Sequence, residues 1–92
     1  MNTSENKEIK YNVPEVERLN LAVKETLKNN AVEAMKLSKE AINAALLSGY
    51  SKGLAEAYLN AGIACRLTSN FEASIGYYDE ALNIYRKIND LN

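Results

Sequence analysis

The chain has no histidine and no tryptophan, and only one cysteine, one proline and four glycines in 92 residues. Without histidine, the commonest general base and the commonest zinc ligand are missing. A lone cysteine, Cys65, forbids an intramolecular disulfide and fits a reducing compartment. Scarce proline and glycine leave room for long helices, and β-branched residues are too few for a sheet protein. Charge of one sign is lacking too. Eleven basic residues against twelve acidic ones give a net charge of −1, which argues against a grip on nucleic acid or on an anionic membrane surface. No apolar run is long enough to cross a bilayer. Met1 to Lys10 is too polar for a signal peptide. The expected location is therefore cytoplasmic.

The chemistry of catalysis is equally sparse. There is no glycine-rich phosphate loop and no nucleophile-elbow pattern. Cys65 on a helix seam reads as a small buried hydrophobe. The carboxylates of Asp79-Glu80 and of Glu15 and Glu17 read as solvated faces. The expectation is a protein that is not an enzyme and needs no cofactor or metal.

What the chain does have is helical period. Residues 1–12 form a polar leader, and Pro14 marks a helix start, since proline suits the first turn. Asn12 or Val13 takes the cap, and Val16, Leu19, Val23, Thr26 and Leu27 step along one face. Asn30 caps a second helix with Ala31, Ala34, Met35, Ser38, Ala41, Ile42, Ala45 and Leu46 on one face, and Gly49 stops it. Ser51 is the expected cap of a third helix over 54–67. Asn70 caps a fourth from Phe71 to about Ile88. Small residues on the third helix (Ala57, Ala61, Gly62, Ala64) allow close approach, while Tyr58, Phe71 and Tyr78 fill the space beside them.

The stretch Leu54 to Ile88 resembles the tetratricopeptide repeat, a helix–turn–helix unit. Tyr58 matches the family's early aromatic and Gly62 its small residue at the helix crossing. Phe71 matches the aromatic after the turn, Ser74 the small residue one turn later, and Tyr78 and Ala81 the aromatic–alanine pair. These six residues form the expected structural seam. The match departs at Cys65, Ala61 and Arg86, where the family prefers an aromatic, leucine and proline.

A shift of 40 residues pairs Leu19 with Leu59, Asn20 with Asn60, Leu27 with Leu67 and Asn30 with Asn70. Glu40, Ala41 and Asn43 pair with Glu80, Ala81 and Asn83. The first half is thus a divergent second copy, lacking the aromatics at Arg18 and Ser38. The longer spacing resembles the extended form of the repeat found in bacterial signalling proteins. The expected architecture is all-α: two stacked antiparallel helical hairpins forming a four-helix segment of an α-solenoid, with repeat one over 13–49 and repeat two over 51–89.

The resemblance implies a protein–protein interaction module that binds a peptide or partner helix in a shallow groove. Asn20 and Asn60 would line that groove, because an amide can donate and accept at once along a peptide backbone. The alternative is that they bond a neighbouring helix or loop. Thr26 and Arg66 would extend the groove; the basic residues of a carboxylate-clamping groove are not in place. Tyr58, Tyr78 and Tyr85 are expected in the core, whereas Tyr50 and Tyr77 are harder to bury. The last helix offers Tyr77, Ile84, Tyr85 and Ile88 with no following helix to cover them. That favours either the N-terminal part of a longer signalling or regulatory protein, or a homo-oligomer associating through this face.

Overall fold

The computed structural model describes residues 12–90. The leader expected over residues 1–12 lies, but for Asn12, outside them, as do the last two residues. The described chain forms α1 (Val13–Leu27), α2 (Ala31–Ser48), α3 (Ser51–Leu67) and α4 (Phe71–Asp90), with no strand among the described residues. The protein is all-α, as the periodicity predicts.

Helix boundaries follow from local chemistry. The Asn12 side-chain oxygen accepts from the Glu15 backbone N–H at 3.0 Å, and that of Asn30 from the Glu33 N–H at 3.0 Å. Each satisfies a donor that the helix itself leaves free. Pro14 sits in the first turn of α1. Gly49 ends α2 at φ +68°, in the left-handed region, and the Tyr50 N–H returns to the Ala45 carbonyl at 3.1 Å.

The start of α3 corrects the sequence reading. Ser51 is not the cap but the first helical residue; Tyr50 holds the cap position without a side-chain capping bond. Its carbonyl accepts from the Leu54 N–H at 2.9 Å, so the helix begins three residues before the expected Leu54. Packing fixes this start: Tyr50 lies against the core, and its hydroxyl donates to Glu17 at 2.8 Å. The tyrosine expected to be hard to bury is thus an anchor between α1 and α3.

The hairpins α1–α2 and α3–α4 stack through α3, which packs on each of the other three helices. Asn20 meets Gly53 and Lys24 meets Glu56, so α1 and α3 run in the same direction. One core cluster joins Val16, Leu19, Ala41, Ala44, Ala45 and Ala57, with Ile42, Tyr50 and Leu54 against it. A second joins Val23, Ala34 and Ala64, with Leu27, Met35 and Leu37 against it. Alanine at so many contacts lets the helices approach closely, and this core is held by many small interlocking contacts rather than a few large side chains.

Gly62, Ser74 and Tyr78 of the expected seam meet where α3 and α4 cross. An added Cβ on Gly62 would lie 2.7 Å from two ring carbons of Tyr78. The Ser74 hydroxyl donates to the Gly62 carbonyl at 2.8 Å, and Ser74 and Ala81 are buried. Phe71, the first residue of α4, is 60% exposed and so does not fill the seam. Tyr58 is half-buried and stacks on Tyr77 of α4.

Candidate functional site: an aromatic cleft between α2 and α4

Tyr58 of α3 lies at the base of a cleft with two hollows, one walled by α2 and α4 and the other by α4 alone. Tyr58 of α3 and Tyr77 of α4 stack there, with ring centroids 6.1 Å apart and planes 29° from parallel. Two hollows share this pair. One, of about 360 Å³, is lined by Tyr58, Ala73, Gly76, Tyr77 and Glu80. The other, of about 270 Å³, is lined by Lys39, Ile42, Asn43, Leu46, Tyr58 and Tyr77.

The residues explain the hollows. On α4, Ala73 and Gly76 contribute almost no side chain, and a Cβ added to Gly76 would meet nothing within 4 Å. The α2 wall carries Ile42 and Leu46, the latter 56% exposed, so apolar surface faces solvent. Lys39 and Glu80, both exposed, put opposite charges on the two rims. Burial raises the Tyr58 pKa above its ordinary value, and nearby Glu80 adds to the shift. The phenol therefore stays neutral near pH 7, able both to donate and to accept. Such a recess can receive an apolar side chain and orient its polar neighbours.

The groove expected from the sequence does not assemble as an open surface. Asn20 is 1% exposed, and its amide nitrogen donates to the Gly53 carbonyl at 3.1 Å; its oxygen is buried without a partner among the described residues. This corrects the groove assignment for Asn20, which bonds the neighbouring helix because α3 lies directly over it. Asn60 is also buried, at 2% exposure, and its amide nitrogen has no partner among the described residues. The Thr26 hydroxyl turns back to the Ala22 carbonyl at 2.8 Å, within its own helix. Arg66 is exposed, with its Nε 3.4 Å from the Tyr78 hydroxyl.

Of the four residues expected to support self-association, Tyr77 lines the cleft, while Ile84, Tyr85 and Ile88 are half-buried along α4. Burial raises the Tyr85 pKa, with Glu56 adding to the shift. Cys65 is 3% exposed, its sulfur 3.8 Å from that of Met35, and burial raises its pKa as well. That environment suits a packing residue rather than a thiolate nucleophile. No group of three or more metal-ligating side chains stands together among the described residues.

Gly76 and Leu46, which shape the cleft, carry no sequence signal of their own. The only hint was Tyr77, an aromatic off the seam. Compared with protein-family models, curated proteins and solved structures, the chain matches none. No described helix is long and apolar enough to cross a membrane.

Proposed function

We propose that the protein is a helical-repeat interaction module that holds a partner segment in the α2–α4 cleft. The observation that carries this reading is the pair of adjoining hollows at Tyr58 and Tyr77. Two recesses on either side of one aromatic pair suit two side chains of a single bound segment. The tetratricopeptide-like pattern of the second hairpin supports the reading, because in that family such hairpins bind other proteins. The opposite rim charges of Lys39 and Glu80 give the cleft a polarity that can fix the direction of the bound segment. The open shape limits affinity, since a shallow surface desolvates a ligand incompletely.

Selection of a displayed random-peptide library against the full chain tests this proposal. The expected result is enrichment of peptides with spaced apolar or aromatic residues. Their binding should be lost in Gly76→Leu, which fills one hollow, and in Leu46→Glu, which charges the wall of the other. Both positions are exposed, so helicity and melting should survive. Failure to enrich any peptide, or enrichment of peptides indifferent to both variants, overturns the cleft as the binding site.

A further inference from the structure

A second surface, apart from the cleft, follows from comparing the two hairpins position by position. In the first, Leu19 and Val23 are buried, and Leu27, Met35 and Ile42 pack against the core. Helix α3 completes that cover through Ala57 and Ala64. Forty residues later stand Leu59, Ile63, Leu67, Ile75 and Leu82. Each is again apolar, yet Leu59 is 37%, Leu67 51%, Ile75 62% and Leu82 48% exposed. Among the described residues no helix lies over them.

The asparagines give this comparison a direction. Asn20 donates to the backbone carbonyl of Gly53 in the first turn of α3. Asn60 is its counterpart, and its amide nitrogen is buried without an acceptor among the described residues. One amide atom is buried and unpaired at each position among the described residues, Oδ1 in Asn20 and Nδ2 in Asn60. The amide oxygen and nitrogen exchange places by a half-turn of the last side-chain torsion, which aims Asn60 as Asn20 is aimed.

We propose that this face docks a partner helix laid in the register that α3 takes on the first hairpin. The first turn of that helix presents a backbone carbonyl to Asn60, and its alanine-rich stripe covers Leu59, Ile63, Leu67, Ile75 and Leu82. The fit of α3 defines the chemistry of the occupant. At the Asn20 contact it carries Gly53, where an added Cβ would lie 2.7 Å from Val16, and it follows with Ala57 and Ala64. A small residue in the first turn is therefore part of the requirement. Helix α1 of a second copy does not meet it. At the positions equivalent to Leu54, Ala57 and Ala64, α1 carries Pro14, Glu17 and Lys24, all exposed. These make a polar end rather than a stacking face.

The test supplies such a helix in place. Residues 53–92 are repeated directly after Asn92 of the full chain, which keeps the 40-residue step and puts a glycine where Asn60 needs its acceptor. The expected result is a higher melting temperature and exchange of the Asn60 side-chain amide protons slowed by about tenfold or more. In the unextended chain Asn60→Leu should leave melting unchanged or raise it, whereas Asn20→Leu should lower it. In the extended chain Asn60→Leu should cancel the gain. An extension that neither protects the amide nor raises melting overturns the proposal. So does an unextended chain that sediments as a dimer whose interface Leu82→Lys breaks, since a second copy would then be the occupant. Peptide binding in the α2–α4 cleft is independent of all these outcomes.

Discussion

Two glycines in the second hairpin show how the same residue serves opposite ends. Gly62 exists because Tyr78 is there: a Cβ would sit 2.7 Å from its ring. Gly76 faces open space and carries only the helix-weakening cost of glycine. Alanine at the two positions should therefore move stability in opposite directions. Gly62→Ala is expected to lower it by about 1–3 kcal/mol through overpacking, partly offset by better helix propensity. Gly76→Ala should raise it by up to about 1 kcal/mol. Chemical denaturation of both variants checks this, and a Gly62→Ala chain as stable as the parent would remove the close crossing from the account. Gly62 was legible in the sequence because it stands amid apolar and aromatic residues in register. Gly76 was not, because nothing in a sequence separates a glycine that clears a hollow from one that is merely tolerated.

At the scale of the element, helix ends were the most legible part of the fold and helix faces the least certain. Asn12, Pro14, Asn30 and Gly49 act through neighbours three to five residues away, so the local sequence contains the whole interaction. Tyr50 displaces Ser51 from the cap through a contact with Glu17, 33 residues distant, which no local pattern reveals. Phe71 and Asn20 fail for the same reason: period assigns a side to each residue but not what lies on that side. Where the determinants are local, outcomes can be predicted closely. Asn30→Ala should cost about 1 kcal/mol by freeing the Glu33 N–H. Ser69, held at φ +65° in the α3–α4 turn, bears a left-handed strain that glycine relieves. Ser69→Gly is expected to gain about 0.5 kcal/mol, the relief outweighing the extra entropy of the unfolded chain. Equilibrium unfolding in urea measures both, and a loss on Ser69→Gly would contradict the strain assigned to that turn.

Over the whole molecule the 40-residue repeat told which residues correspond, but correspondence proved different from equivalence. Asn20 and Asn60 share a register position, yet one has a helix over it and the other has none among those described. The tyrosines show the same divergence, being concentrated in the second hairpin, and they set how the whole structure responds to alkali. Three of them have raised pKa values from different causes: Tyr50 through its hydrogen bond to Glu17, Tyr58 and Tyr85 through burial. In each, the fold favours the neutral phenol. Their contribution is fully present below the unfolded value of about pH 10, and it is lost as pH rises from there through the higher folded values. Melting temperature should therefore fall steeply above about pH 10, with tyrosinate absorbance appearing together with the loss of helix. Replacing Tyr58 and Tyr85 together by phenylalanine should shallow that fall, because two hydroxyls that resist ionisation in the fold are removed. The remaining slope belongs to Tyr50 and to the buried Cys65 thiol, whose pKa is raised as well. The acceptor of the Tyr50 hydroxyl, Glu17, sits on α1, so Tyr50→Phe should weaken the tie between the hairpins at neutral pH. If the double phenylalanine variant melts along the parent's alkaline curve, burial of these two phenols contributes nothing to the cohesion of the stack.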